Sequence, residues 1–170
     1  KGVAIFVEAA KLVNEKGVEA VFKIAGGAVD HNPNCLSTED MKSLIQDSPV
    51  EWLGKVDDMP SLYAEANLIV YPSYYGEGIP KVLLEAAATG RCIITTDHPG
   101  CREAILDGKT GMLVPVKDVE KTAAAMQELL KESVKRNSMG QAARTYAAEC
   151  FDVNLVVAQT IAVYDKALAS

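Results

Sequence analysis

Two glutamates, Glu77 and Glu85, stand eight positions apart in the stretch "YGEGIPKVLLEAAATGRCIITTD", residues 75–97. Gly76 and Gly78 flank the first carboxylate, and Pro80 stands where a helix could begin. Glycines let a backbone approach a ligand closely, and the free amides at a helix start favour an anion such as phosphate. Pro80 contributes no amide, so the donors on offer are those of Gly78, Ile79, Lys81 and Val82. A glycine-rich turn is also an ordinary way to join a strand to a helix, so the loop by itself decides nothing.

Glu85 raises a sharper question, because its neighbours in the helix are Val82, Leu84, Ala86 and Ala88. Burying an unpaired carboxylate costs several kcal/mol, so in so apolar a helix it needs a partner. One reading is a surface pair with Lys81 at i, i+4, worth a few tenths of a kcal/mol. The other is a buried carboxylate that accepts two adjacent ribose hydroxyls, as the acidic residue of dinucleotide sites does. Eight helical residues span about 12 Å, which suits a pyrophosphate and sugar at one end and a ribose at the other. A nucleotide-sugar site and a dinucleotide site both fit that span. A glycosidase acid–nucleophile pair fits poorly, since no second acid lies in register beside Glu85.

These residues need elements to position them. Residues 3–13 carry an amphipathic helix pattern, and residues 20–26 read as a buried strand closed by the turn Gly26-Gly27. Ser37 or Thr38 is positioned to cap a helix with acidic residues in its first turn. Residues 50–54 form the next strand, and a helix follows with Pro60 near its first position. Residues 67–73 form another strand, and the Glu85 helix ends at Gly90. "CIITTD" reads as a strand, "GCREAIL" as a short helix, "DGKTG" as a turn and "MLVPV" as a strand. From Asp118 the chain reads as three helical pieces broken near 133–136 and 150–152. Strands alternate with helices and are near-continuous apolar runs, the pattern of strands covered on both faces. That predicts an α/β domain with a doubly wound parallel sheet. Ligands of such sheets lie at the carboxyl ends of the strands, so the loops at 26–34, 54–59, 72–79 and 96–101 deserve scrutiny.

Composition narrows the function classes. The chain has 170 residues, 49% apolar and 24% charged, which is enough for one domain with a real core. A net charge of -6 argues against nucleic acid as a partner, while leaving room for a nucleotide held by local amides. No run approaches the roughly 18 uninterrupted apolar residues of a spanning helix, and the basic residues are scattered, so no strong membrane affinity is expected. Cys35, Cys92, Cys101 and Cys150 are spread singly and read as reduced thiols of a cytoplasmic protein. His31 and Cys35 share a loop, but two ligands do not make a metal site. No D-x-D motif is present. A dinucleotide oxidoreductase would open its first helix with G-x-G-x-x-G, and "IAGGAVD" lacks that spacing. The chain opens on "KG" and a helix with no strand before it, the look of a piece of a longer polypeptide.

"EGIPKVLLEAAATGRCIITTDHPGCREAILDGKTGMLV" resembles the donor-binding region of GT-B fold glycosyltransferases in the large retaining family 4, the "group 1" transferases. The likeness covers nearly the whole chain as that family's C-terminal domain. It runs through "KG" and its helix, "IAGG", "VEWLGKVDDMPSLYAEANLIVYPS", the E-x7-E element and "DGKTGMLV". The "EGIP…LLEAAATGR" version is similar to enzymes of bacterial surface and capsular polysaccharides. The resemblance implies an enzyme that binds a nucleotide-diphosphate sugar, with UDP the default and GDP the other candidate, and that needs no metal or other cofactor. Glu77 would hold donor-sugar hydroxyls and Lys1 would neutralise the diphosphate, the two residues it makes catalytic. Glu85 would bind the ribose, and the amides of Gly78 and Ile79 would meet sugar and diphosphate. Gly26, Gly27, Trp52 and Leu53 would complete the donor site, the stretch around 51–53 lining the base. Phe-Gly is usual in the family where this chain has Ile79-Pro80, which removes one amide.

An N-terminal domain, absent from this chain, would bring a glycan or lipid-linked acceptor. Without it the chain is expected to bind donor and to transfer poorly or not at all. The full protein would be cytoplasmic, or peripheral at the inner membrane face. The family also places a strand before "KG" in the sheet, so its lack would leave an apolar edge or gap and favour self-association. A sugar-nucleotide epimerase and a non-catalytic nucleotide-binding module are the alternatives. A phosphorylase is disfavoured because nothing in the sequence marks a pyridoxal lysine site.

Overall fold

The computed structural model describes residues 1–28 and 35–169, so His31 and most of the loop after Gly27 lie outside the described residues. Helix α1 (Val3–Glu15) is followed by β1 (Phe22–Ala25), α2 (Thr38–Ile45), β2 (Val50–Gly54), α3 (Met59–Glu65), β3 (Leu68–Tyr71) and α4 (Lys81–Ala88). Then come β4 (Cys92–Thr96), a 3-10 turn (Arg102–Ala104), β5 (Gly111–Val114), α5 (Val119–Lys131), α6 (Ser133–Cys150) and α7 (Val153–Leu168). Local chemistry accounts for most of these boundaries. Ser37, rather than Thr38, caps α2 in a reciprocal box with Asp40. Asp58 caps α3 with Pro60 in its first turn, and Asp118 and Asp152 cap α5 and α7. The expected helix in "GCREAIL" is only the 3-10 turn, and β5 starts one residue early and stops before Pro115.

Among the described residues all strand pairs are parallel, as the apolar runs predict, and they form two sheets, β1–β2 and β3–β4–β5. Among the described residues β1, β2, β3 and β5 each carry a strand neighbour on one side only. Covering on both faces holds for β4, whose five residues are all buried. Its side chains alternate between two cores. Cys92 and Ile94 join Val7, Val13, Phe22, Met126 and Leu129, whereas Ile93 joins Tyr63, Leu83, Ile105 and Ala147. Burying one such Leu or Ile contributes about 1.5–3 kcal/mol. In β1 and β2, by contrast, Lys23 and Glu51 are exposed, so those strands are covered less fully.

The four cysteines are free thiols. Burial pushes the Cys92 thiol up to about 11, which leaves it protonated and unreactive at neutral pH. Helix α7 has no buried residue and exposes Val153, Val157, Ile161, Tyr164 and Leu168. The helical stretch Ser133–Leu168 holds an 18-residue window apolar enough to cross a membrane by length and composition alone, of which 6% is buried. Interrupted apolar runs thus reach a hydropathy that a search for unbroken ones misses.

Helix α6 approaches the α4–β4 connection closely. A Cβ on Gly140 would overlap the carbonyl oxygen of Gly90, whose own φ is +71°. In an exposed helix Gly→Ala stabilises by about 1 kcal/mol. Here Gly140→Ala is expected to destabilise by about 2 kcal/mol, the scale of overpacking, in urea unfolding. A neutral or stabilising result would show that α6 does not rest on Gly90.

Candidate functional site

The chain leaving β3 is pinned to β4 by side chains. Thr95 donates from its hydroxyl to the carbonyl of Tyr71 at 2.8 Å, and Thr96 donates to that of Ser73. Ser73, Thr95 and Thr96 are all fully buried, so these bonds satisfy polar groups that water cannot reach. Two glycines then hold the following loop from either side. Gly2, at φ +82°, lies so close to the carbonyl of Pro72 that no side chain fits. Gly100, at φ +88°, lies equally close to the carbonyls of Glu77 and Gly78, and its own amide donates to Glu103 Oε2 at 2.5 Å. The left-handed backbone and the missing Cβ are both required at these positions.

With those carbonyls turned onto Gly100, the amides ahead of α4 are left open. Among the described residues, the N–H groups of Gly78, Ile79, Lys81 and Val82 donate to no protein acceptor. Pro80 occupies the N-cap of α4 with no side-chain cap, and Gly2 does the same for α1. Elsewhere α2, α3, α5 and α7 are capped by Ser37, Asp58, Asp118 and Asp152. Uncapped amides at two helix starts beside one loop leave donors and partial positive charge for an anion.

Glu77 and Lys1 are brought together. Lys1 Nζ lies 2.5 Å from Glu77 Oε1, which also accepts from the Tyr71 hydroxyl at 3.0 Å. Burial alone would raise the Glu77 carboxyl, but hydrogen bonds from Lys1 and Tyr71 outweigh it and hold the pKa below the usual carboxylate range. Burial likewise opposes the charge on Lys1, and the bond to Glu77 more than offsets it, raising its pKa. Burial and then the Glu77 bond raise that of Tyr71. The Lys1 ammonium also stands 5.3 Å from the centroid of Tyr75, which is 54% exposed.

Glu85 corrects the expectation of a buried carboxylate. Helix α4 buries Leu83, Ala86 and Ala87 on one side, and Lys81, Glu85 and Ala88 fall on the opposite, exposed side. Alanine is small enough to stand at Ala88 without marking a buried face, which is why the helix looked more enclosed than it is. The pair with Lys81 does not form either. Glu85 Oε2 accepts instead from the hydroxyl of Tyr63, a buried residue of α3, at 3.0 Å. Burial, then the Glu85 bond, raises the Tyr63 pKa.

Gly26 and Trp52 meet at the carboxyl ends of β1 and β2, where the indole Nε1 donates to the Gly26 carbonyl at 2.7 Å. The Gly26 amide donates to Gly54 at 2.8 Å, Gly27 is exposed, and Leu53 is half-buried. No hydrogen bond or ion pair among the described residues links this group to Glu77 or Glu85. Sequence reasoning missed Tyr63, Tyr71, Gly100 and Glu103. One signal was available: Tyr63 and Tyr71 repeat the eight-residue spacing of Glu77 and Glu85.

The family model of the glycosyl transferases group 1 matches residues 1–132. The chain is 32% identical over 168 residues to the N,N'-diacetylbacillosaminyl-diphospho-undecaprenol alpha-1,3-N-acetylgalactosaminyltransferase of Campylobacter jejuni, covering 99% of this chain and 42% of that one. It is 24% identical over 168 residues to the capsular polysaccharide biosynthesis glycosyltransferase CapM of Staphylococcus aureus, covering 99% and 43%. A solved structure of Anabaena HepE in complex with UDP is similar with a TM-score of 0.81 at 22% identity, over 96% of this chain and 45% of that one. The chain belongs to the group 1 glycosyl transferases, and its fold is that of GT-B glycosyltransferases. It spans about two fifths of the length of these two relatives.

The depressed Glu77 carboxyl makes a pH prediction. Such a group contributes stability above its unfolded value of about 4.3 and loses it as pH falls through the lower folded value. Glu77→Gln should therefore be less stable than the wild type at pH 7, and the difference should shrink by pH 3. A gap that is constant with pH in urea unfolding would refute the ionised, hydrogen-bonded state of Glu77.

Proposed function

We propose that this group 1 glycosyltransferase chain is the C-terminal, donor-binding domain of an enzyme that transfers a sugar from a nucleotide diphosphate to a glycan or lipid-linked acceptor. The observation that carries it is the set of open groups around the Glu77 loop. Among the described residues four amides have no protein acceptor, a lysine stands beside them, and each of two carboxylates has one oxygen engaged and the other without a partner. Amides and a cation suit a diphosphate, and carboxylates suit the hydroxyls of sugars on either side of it. The UDP bound to HepE supports UDP as the nucleotide. The diphospho-undecaprenol acceptor in the name of the Campylobacter relative supports a lipid-linked acceptor, and with it a cytoplasmic protein peripheral to the inner membrane face.

In this reading Glu85 accepts from the ribose and Glu77 from the transferred sugar. Gly78, Ile79 and Lys1 meet the diphosphate, with Lys1 turning from Glu77 toward it. Gly26, Gly27, Trp52 and Leu53 border the base. The bond between the anomeric carbon and the phosphate oxygen breaks as the acceptor oxygen bonds to the same face of that carbon, so configuration is retained. The acceptor proton passes to the leaving diphosphate. Amides and Lys1 stabilise the charge that develops there, which is the role of preorganised donors, and no divalent cation is required. The acceptor comes from a domain outside this chain, so the chain alone binds donor without transferring it.

Calorimetric titration of UDP, GDP and NADH tests the reading. UDP is expected to bind, NADH not, and Glu85→Ala to weaken UDP by about 1.5–3 kcal/mol, the scale of a hydrogen bond to a charged group. A folded protein that binds none of the three overturns it. The one-sided pairing of β1 and β3 leaves strand edges open, and the isolated chain is expected to self-associate. A monodisperse, stable monomer in sedimentation velocity would refute that.

A further inference from the structure

Tyr63 is 4% exposed and packs in the second core with Leu83, Ala86, Ala87 and Ile93. Its ring is therefore fixed by its surroundings, and its hydroxyl reaches the margin of that core to donate to Glu85 Oε2 at 3.0 Å. The Glu85 carboxylate has no other hydrogen-bond or ion-pair partner among the described residues, although it stands on the exposed side of α4. An exposed glutamate ordinarily spreads over several rotamers. A rigid phenol holding one oxygen selects among them, leaves Oε1 open, and leaves Oε2 a second lone pair. Because tyrosine is neutral, the tether orders the carboxylate without cancelling its charge. Tyr71 does the same for Glu77 from β3, so each glutamate of the E-x7-E element is held by a tyrosine through a single oxygen.

We infer that Tyr63 is a positioning residue for nucleotide recognition: it holds Glu85 so that both carboxylate oxygens meet a vicinal diol. The inference rests on the nucleotide-sugar reading above and adds to it. A ribose presents two adjacent hydroxyls to one carboxylate, and an acceptor ordered in advance loses less freedom on binding than a mobile one. Tyr63 touches no ligand itself and acts only through Glu85. Its removal therefore matters for a ligand with the diol and not for one lacking it, and has no effect once Glu85 is gone.

Calorimetry with UDP and 2′-deoxy-UDP on the wild type, Tyr63→Phe, Glu85→Ala and the double variant tests this, with thermal melting as a check of folding. The wild type is expected to prefer UDP. Tyr63→Phe should weaken UDP by about 3- to 10-fold, the worth of one hydrogen bond, and narrow the preference over 2′-deoxy-UDP. In the Glu85→Ala background the same change should alter UDP affinity less than about twofold, the signature of residues acting as a unit. An unchanged preference in Tyr63→Phe, or an equal loss in both backgrounds, overturns the inference while leaving the nucleotide site standing. A wild type that binds neither UDP nor GDP overturns both, and one that binds GDP alone takes the same test with GDP and 2′-deoxy-GDP. If Tyr63→Phe does not fold, Glu85→Asp withdraws the carboxylate from the fixed hydroxyl while keeping its charge, and a full preference for UDP in that variant overturns the inference.

Discussion

Strand β4 is buried along its whole length, and the site hangs from its carboxyl end. Its odd and even side chains anchor two separate cores, one built with α1 and α5 and the other with α3, α4 and α6. A strand so enclosed has no freedom to slip, because a shift of one residue would exchange the two faces. Thr95 and Thr96 carry that rigidity into the chain leaving β3, and Gly100 extends it to the peptide carbonyls of Glu77 and Gly78. Hydrophobic burial thus sets, through a few side-chain-to-backbone bonds, which way a row of amides points.

The electrostatics of the site depend on what the protein leaves unused. Four helices here cap their first turn with Ser or Asp, whereas α6 and the two that start beside the Glu77 loop have no side-chain cap. Open amides at a helix start cost little while water reaches them, and they are available when an anion replaces the water. Lys1 and Glu77 neutralise each other in the free protein, an arrangement that keeps both charged and in place. Glu77, with 27% of its side chain exposed, remains reachable by a ligand. Glu85 is more open still, held by one neutral hydroxyl.

Much of this was legible in the residues. The alternation of apolar runs with amphipathic segments specified parallel strands and helices. Ser37, Pro60 and Gly90 marked boundaries through local backbone chemistry, and the E-x7-E spacing with its glycines marked the candidate site. The errors have physical causes. Burial of Glu85 was inferred from neighbours in sequence, but a helix turns its residues by 100° steps, and Ala88 is as compatible with solvent as with a core. The 3-10 turn at 102–104 and the early end of β5 depend on what surrounds them, which no window of residues contains. Helix α7, read in the sequence only as a helical piece, buries none of its apolar side chains against the described residues.

The sequence by itself determined the kinds of most elements, their order and the candidate loop around Glu77, because propensity, capping and periodicity are local properties, and its motifs carried the family resemblance. Only the tertiary structure decided which groups meet. Tyr63 is 22 residues from Glu85 and Lys1 is 76 from Glu77, and no local rule connects such distances. Chain reversal through the buried strands brings them within hydrogen-bond range. Which strand edges meet, β1 with β2 and β3 with β4, is likewise settled by backbone pairing in three dimensions and not by residue type.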